Sequence, residues 1–321
     1  MDSIRIAADH LRAGGLIGLP TETVYGLAAD ARNSTAIKRV FTVKGRPATH
    51  PLIVHLGDPS RVDEWVTSLP ASGKRLIERF WPGPLTLVLP ARPDVLPEIT
   101  GGQSSVALRM PNHSVALSLL EELGGAVVAP SANRFGHVSP TCARHVSDSL
   151  GSDVDFVLDG GSCRYGVEST IVSLLQDMPR ILRPGAITLA ELETVLGRGA
   201  VELSERADAP CVPGSHKSHY APRTPMRLVQ AGETFVSAQQ HLAKGERVGL
   251  LQRCDKQINR SLLQGVMLFC MDSTPAGYAR DLYARLREID RLRLDTLLVE
   301  APPSGAEWMA VNDRLTRAAS R

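Results

Sequence analysis

A series of short apolar runs, each ended by proline, glycine or polar residues, most constrains what this chain can fold into. Leu16–Leu19 is ended by Pro20, and Pro51–Leu56 and Leu85–Leu89 follow the same pattern. Runs of this length with such boundaries predict buried strands. The stretch Val115–Leu123 has the spacing of an amphipathic helix. Because strands and helices mix without strict alternation, the first region predicts an α/β fold with a mixed twisted sheet and flanking helices.

The composition changes near residue 204. The stretch Glu205–Pro225 has four prolines and little apolar periodicity, which is typical of a linker. After it, strand patterns such as Met226–Val229 alternate with helical ones such as Phe235–Leu242. Successive strand–helix units predict a smaller, Rossmann-like parallel domain with right-handed crossovers. The predicted organisation is therefore a domain over 1–204, a linker over 205–225 and a C-terminal α/β domain over 226–321.

Composition excludes several classes of protein. A net charge of +2 and 4% aromatic residues argue against a protein that coats nucleic acid. Five cysteines without a CxxC pair suggest neither a disulfide framework nor a zinc ribbon. The N-terminus does not read as a signal peptide, and no apolar stretch of about 18 residues suggests a membrane span. We therefore expect no membrane association and a cytoplasmic location.

Standard nucleotide and nucleophile motifs are absent, so a ligand site must be built from other loops. In Pro20–Ala31 (PTETVYGLAADA), polar groups cluster where a predicted strand ends; a polar turn explains this segment equally well. In Lys44–Leu52 (KGRPATHPL), stiffening prolines follow an ammonium and a guanidinium, groups that suit phosphate oxygens. A solvated basic loop is the alternative. His55 on an apolar strand could equally be a core histidine.

Two further segments carry polar groups after apolar runs. Ser131–Thr141 (SANRFGHVSPT) places small donors and acceptors around a glycine, and Val167–Val172 (VESTIV) opens a strand with Ser169. Four cations are expected at separate strand ends without a matching acidic cluster, which favours a polyanionic ligand. These are Lys44, Arg46, Arg109 and Arg183.

Taken together, these segments resemble the YrdC-like family, in particular its long two-domain threonylcarbamoyladenylate synthases. The resemblance rests on PTETVYGLAADA, KGRP before HPLIVHL, WPGPLTLVL, SVALRMP, SANRFGHVSPT, VESTIV and ILRPG, over roughly Ile4–Leu196. The linker PGSHKSHYAPRTP and the C-terminal GAEWMAVNDRLTRAA look like those of the long form. The first domain is accordingly expected to be a YrdC-like catalytic domain.

The resemblance implies a nucleotidyltransferase reaction. L-threonine and bicarbonate form a carbamate, which attacks the α-phosphorus of ATP to give threonylcarbamoyl-AMP and pyrophosphate. Partner proteins then transfer the threonylcarbamoyl group to an adenosine next to the anticodon of tRNA. Such a reaction needs positioning and charge neutralisation and no covalent nucleophile. Mg²⁺ would accompany ATP, no protein metal site is expected, and binding of tRNA by this chain is expected to be weak at most.

The resemblance also implies roles for individual residues. Lys44 and Arg46 are expected to be catalytic. Threonine is expected to contact Thr23, Tyr25, His55, Arg109, Ser131 and Ser169. ATP is expected to contact Arg46, His50, Ser105, Asn133, Thr141, Arg183, His219 and Tyr220.

Two departures from the family pattern stand out. His50 occupies a position where the family commonly has asparagine, which could make this contact dependent on pH. The linker keeps Gly214, His219, Tyr220 and Pro222 but lacks the aromatic residue and the arginine usually found between them. If the linker closes over the site as a lid, His219 and Tyr220 are the linker residues that could still contact the ligand.

Two alternative functions would each require features of their own. A non-enzymatic RNA-binding module would require tight binding of tRNA with a steep salt dependence. A related carbamoyl-adenylate enzyme of hydrogenase maturation would need zinc fingers, and the sequence has no CxxC pairs.

Overall fold

The computed structural model of the chain describes residues 2–203, 210–214, 219–254 and 264–320. Residues 205–209 and 215–218 of the predicted linker lie outside this description. The chain divides into two compact units. The first comprises Met1–Phe135 and Ser139–Ser215, and the second comprises Gly136–Val138 and His216–Arg321.

The first unit is built on a ten-stranded mixed sheet, as the short apolar runs predict. The strand order is β10-β9-β8-β4-β5-β3-β6-β2-β1-β7. The sheet contains both antiparallel pairs, such as β4 and β5, and parallel pairs, such as β3 and β5. The strands are β1 Ile17–Leu19, β2 Gly26–Asp30, β3 Ile53–His55, β4 Leu85–Pro90, β5 Ser105–Arg109, β6 Val127–Val128, β7 Phe156–Val157, β8 Thr170–Ser173, β9 Arg180–Arg183 and β10 Glu202–Leu203.

Helices cover both faces of this sheet. On one face, α2, α3, α6 and α7 pack on apolar side chains that include Leu27, Val54 and Leu108. On the other face, α1 and α5 pack together over Leu19 and Ala28. The helices are α1 Asp2–Arg12, α2 Ser34–Lys44, α3 Ala71–Phe80, α4 Pro97–Thr100, α5 Ser114–Leu123, α6 Ala143–Leu150 and α7 Leu189–Leu196.

The second unit contains a four-stranded parallel sheet of order β11-β14-β12-β13. Helix α8 packs on β12 and β14, whereas α10 packs on β11 and α9 on β13. This is the small parallel α/β arrangement that the alternating pattern predicts. The elements are β11 Met226–Val229, α8 Thr234–Leu242, β12 Val248–Arg253, β13 Val266–Met271, α9 Pro275–Asp290, β14 Thr296–Glu300 and α10 Met309–Ala319.

Within the described residues, none of the helices has both the length and the apolar character needed to cross a bilayer.

Candidate functional site

The predicted site residues of the first unit share one face of the central strands. In register, His55 lies beside Arg109 on neighbouring parallel strands. The β4–β5 pairing sets Val88 opposite Ala107, and these lie two residues from Thr86 and Arg109 respectively. Because side chains alternate along a strand, residues two apart share a face. This face, called the polar face below, carries His55, Thr86, Ser105, Arg109, Ser169 and Arg183.

The sequence predicted that all four cations lie at strand ends, and the structure confirms this for only two of them. Arg109 and Arg183 do end strands, β5 and β9. Lys44 instead ends helix α2, and Arg46 follows it after a left-handed Gly45. The polar face itself results from register between strands that are distant in sequence.

His55 is buried on the polar face as a neutral imidazole. Its Nδ1 lies 3.2 Å from the carbonyl oxygen of Ile53. A carbonyl only accepts, so Nδ1 carries the proton and Nε2 stays an acceptor. Burial, together with the positive charge of Arg109, lowers the pKa of His55 to about 3. The ring is thus an uncharged hydrogen-bonding group at ordinary pH.

Arg109 has an acidic partner that the sequence did not reveal. Its Nη2 lies 2.8 Å from Oε1 of Glu22, and both side chains are about 5% exposed or less. Arg109 Nε also donates to the carbonyl oxygen of Gly83. The expectation that the four cations lack matching acids is therefore wrong for Arg109. Because desolvation largely offsets the attraction within a buried pair, such a pair is weak evidence for a stabilising role.

Ser169 is held in a chain of polar contacts across the polar face. Its Oγ lies 2.7 Å from Oγ1 of Thr86, and Arg183 Nη2 donates to the same Oγ at 3.1 Å. Arg183 also donates to the carbonyl oxygens of Ser169 and Pro213. The backbone of Gly185 lies directly against the backbone of Ser169 and Thr170. A side chain does not fit at residue 185, because its Cβ would lie 2.3 Å from the backbone nitrogen of Thr170. The arrangement fixes one hydroxyl and one guanidinium together.

The PTETVYG segment forms a buried turn in which hydroxyls satisfy one another. Thr21 Oγ1 donates to the carbonyl oxygen of Val24 and lies 2.9 Å from Thr23 Oγ1. Tyr25 Oη donates to the carbonyl oxygen of Gly161 and accepts from the backbone nitrogen of Gly160. Burial raises the pKa of Tyr25. Its hydroxyl is therefore engaged in holding the 160–161 turn.

Lys44 organises the SAN loop, here residues 131–135, from the end of α2. Its Nζ donates to the carbonyl oxygens of Ser131 and Asn133, the latter at 2.6 Å. The backbone nitrogen of Phe135 donates in turn to the carbonyl oxygen of Lys44. Burial, with the charges of Arg46 and Arg134 nearby, lowers the pKa of Lys44 well below its usual value. These contacts give Lys44 a positioning role whatever else it contacts.

Arg46 and His50 lie against the same aromatic ring. The Arg46 guanidinium is 6.0 Å from the ring centroid of Phe135, and the His50 ring is 5.4 Å from it. Arg46 Nη2 also donates to the carbonyl oxygen of Pro51. Both predicted ATP contacts are thus placed next to the SAN loop that Lys44 organises.

The end of the SANRFGHVSPT segment carries two further polar contacts. Thr141 Oγ1 lies 3.3 Å from Nδ1 of His145. Ser139 Oγ donates to Oε1 of Glu168 at 2.6 Å, and both side chains are buried. Phe135, Glu168 and Glu22 were missed from the sequence. Their only signal was a charged or aromatic residue inside an otherwise small and polar motif.

Part of the predicted linker packs on the polar face. Val212 is buried in a cluster with Ile53, Ala107 and Ile171. The backbone of Cys211 exchanges two hydrogen bonds with the side chain of Gln103. The described residues 210–214 therefore dock within the first unit.

His219 and Tyr220 belong to the second unit. Tyr220 has a left-handed backbone (φ 61°), stacks on Tyr283 at 5.7 Å, and lies under the guanidinium of Arg314 at 5.0 Å. His219 packs edge-on against Tyr220 at 4.1 Å. Their assignment to ATP stays a prediction.

The chemistry available on the polar face is electrostatic. Within the described ranges, no group of three or more His, Cys, Asp or Glu side chains could hold a metal ion. The face offers buried guanidiniums, hydroxyls and a neutral imidazole. These groups can bind an anion and a small polar molecule, and they can stabilise charge that develops between them. The fold and the site therefore define a class of α/β protein that uses positioned cations and hydroxyls to bind an anion and a small polar molecule.

Comparison with known proteins identifies the family. Residues 9–185 match the family described as "Telomere recombination", named for Sua5, YciO and YrdC. Residues 187–320 match the family described as "Threonylcarbamoyl-AMP synthase, C-terminal domain". The threonylcarbamoyl-AMP synthase of Bacillus subtilis (strain 168) is 39% identical over 323 residues, which cover 98% of this chain and 92% of that protein.

A second relative and a solved structure, both from Pyrococcus abyssi, also match over nearly the whole chain. The threonylcarbamoyl-AMP synthase of Pyrococcus abyssi is 38% identical, with 98% of this chain and 93% of that protein covered. The solved structure of P. abyssi Sua5 complexed with L-threonine matches with a TM-score of 0.90 at 36% identity, covering 98% of this chain and 94% of that chain. The chain belongs to the threonylcarbamoyl-AMP synthase family.

Proposed function

We propose that this chain condenses L-threonine, bicarbonate and ATP to threonylcarbamoyl-AMP and pyrophosphate. The observation that carries the proposal is the polar face, where buried cations and hydroxyls from distant strands meet. The carbamate of threonine is itself the attacking group, so the protein has to position two substrates and neutralise phosphate charge. Full-length similarity to threonylcarbamoyl-AMP synthases supports the same reaction.

On the threonine side, the assigned residues are Thr23, Tyr25, His55, Arg109, Ser131 and Ser169. Arg109 would bind the carboxylate of threonine through its fork of donors. His55, protonated on Nδ1, would accept from the threonine hydroxyl through Nε2. A neutral acceptor suits a hydroxyl donor better than an imidazolium, which can only donate.

On the ATP side, the assigned residues are Arg46, His50, Ser105, Asn133, Thr141, Arg183, His219 and Tyr220, with Lys44 and Arg46 at the reacting phosphates. Arg46 and His50 flank Phe135, and Lys44 holds the carbonyls of the SAN loop beside them. Mg²⁺ would enter with ATP, bound by its phosphates and water. No step is assigned to a metal held by the described side chains.

The product would be consumed by proteins that transfer the threonylcarbamoyl group to an adenosine of tRNA next to the anticodon. We therefore propose a cytoplasmic location, with tRNA itself bound weakly at most by this chain. We also propose the division into a catalytic domain over 1–204, a linker over 205–225 and an α/β domain over 226–321.

The test is the release of pyrophosphate from ATP by the purified full chain. We expect release only when both threonine and bicarbonate are present. Arg46→Ala and Ser169→Ala should each abolish turnover while thermal unfolding shows a folded protein. Release that does not depend on threonine, or near-normal activity in both variants, would contradict the proposal.

A further inference from the structure

The carboxylate of Glu22 is buried next to a cation without the hydrogen bonds that a buried carboxylate needs. Glu22 is 3% exposed. Neither of its carboxylate oxygens accepts a hydrogen bond from any residue that the structure describes, although Oε1 lies 2.8 Å from Arg109 Nη2. That Nη2 likewise makes no hydrogen bond within the described ranges. Buried acceptors left in this condition are costly, so such groups call for a further partner.

The pair is placed among residues already assigned to threonine. Glu22 lies between Thr21 and Thr23 in the PTETVYG turn, and Arg109 stands beside His55 in register. Burial, and after it the charge of Glu22, raises the pKa of Cys163 to about 12. Glu22 therefore lies close to Cys163 in the same buried region of the first unit.

A second buried carboxylate is available but already occupied. Glu168 Oε1 accepts a hydrogen bond of 2.6 Å from Ser139. Of the two acids, Glu22 is the one whose oxygens lack donors. The missing partner is therefore a donor, and it would sit beside Arg109 Nη2, which makes no hydrogen bond to the described residues.

We propose that Glu22 is the residue that recognises the α-ammonium group of the amino-acid substrate, while Arg109 takes its α-carboxylate. An acid and a base held together match the two opposite charges of a zwitterion, and binding completes the hydrogen bonds of both. After carbamate formation the nitrogen keeps one N–H, so Glu22 retains one hydrogen bond to the reacting molecule. This inference rests on the proposed function and adds the group that selects an amino acid over other small hydroxy acids.

The experiment compares two ligands on two proteins. L-threonine and 3-hydroxybutyrate, which is threonine without its amino group, are titrated against the wild-type chain and Glu22→Gln. In the wild type, 3-hydroxybutyrate should bind about 10- to 100-fold more weakly, the value of one charge-assisted hydrogen bond. In Glu22→Gln this preference should fall at least tenfold, with affinity for ATP unchanged.

Matched variants separate recognition from structure. Glu64→Gln removes the acid of an exposed pair with Arg61 in the same unit and should keep the wild-type preference. Equal weakening of both ligands by Glu22→Gln would show that Glu22 only supports Arg109, and would overturn the proposal. Loss of the preference in Glu168→Gln instead of Glu22→Gln would overturn it as well.

The wild-type chain provides a check that does not depend on a variant folding. In a crystal structure with L-threonine, the amino nitrogen should lie within about 3.2 Å of a Glu22 carboxylate oxygen. A nitrogen more than 4.5 Å away would contradict the inference. Wild-type protein that releases pyrophosphate without threonine would contradict the proposed function itself, whichever contact Glu22 makes.

Discussion

Buried cations have different kinds of partner at the two ends of the candidate site. Lys44 and Arg46 donate to backbone carbonyl oxygens, which are neutral. Arg109 instead lies 2.8 Å from the carboxylate of Glu22, so that the pair carries no net charge. We call the first group the carbonyl-bound cations and the second the acid-paired cation.

The difference indicates which ligand each end accepts. A polyanion such as the triphosphate of ATP is attracted by cations that neutral backbone groups hold in place. A zwitterion has no net charge and is matched by an acid and a base held side by side. The carbonyl-bound cations therefore suit phosphates and the acid-paired cation suits an amino acid, as the proposed reaction requires.

Removing a carbonyl-bound cation should have the largest effect. Lys44→Met removes the ammonium donor from the carbonyl oxygens of Ser131 and Asn133, and a hydrogen bond to a charged group contributes about 1.5–3 kcal/mol. We expect the free energy of unfolding to fall by about 2–4 kcal/mol and turnover to fall at least about 100-fold, since the SAN loop loses its position. Denaturant titration measures the free energy of unfolding, and pyrophosphate release measures turnover.

The same substitution on the exposed side of α2 is the control. Lys38 lies on that helix with an exposed side chain, paired with Glu98. Lys38→Met should change stability by no more than about 0.5 kcal/mol and leave turnover intact. Near-normal stability in Lys44→Met would contradict the positioning role of Lys44.

A smaller effect is expected from pH at the acid-paired end. The pKa of His55 is lowered to about 3 in the folded chain, by burial first and then by Arg109, from about 6.5 when unfolded. Between these values the unfolded state binds more protons, so stability falls as pH falls through this window. From pH 6.5 to 4.5 the wild type should lose up to about 2 kcal/mol more than His55→Asn. Denaturant titrations with the same pH dependence in both proteins would show that His55 is not held neutral by the fold.

The sequence predicted the elements better than their arrangement. PLIVHL and SVALRM satisfy the pattern of buried strands, and β3 and β5 lie within them. Their pairing in register, which sets His55 beside Arg109, depends on a strand order that no local pattern specifies. Strand β2 was not predicted, because its GLAAD sequence lacks the branched residues typical of strands.

The ion pair of the candidate site was hidden for the same reason. Glu22 and Arg109 are 87 positions apart in the chain, and only the folded sheet brings them together. Glu22 lies in the PTETVYG motif, but from the sequence only its neighbours Thr23 and Tyr25 were predicted to contact threonine. Local polarity identifies a site segment, whereas the charge balance of the site depends on tertiary contacts.

The most direct test of the two-ended site is a crossed binding measurement. ATP and L-threonine are titrated separately by calorimetry into Arg46→Lys and Arg109→Lys, which keep the charge but lose the planar fork. We predict that Arg46→Lys weakens ATP at least about tenfold and leaves threonine within about twofold, and that Arg109→Lys does the reverse. Equal losses for both ligands in both variants, or loss of ATP in Arg109→Lys alone, would contradict the account.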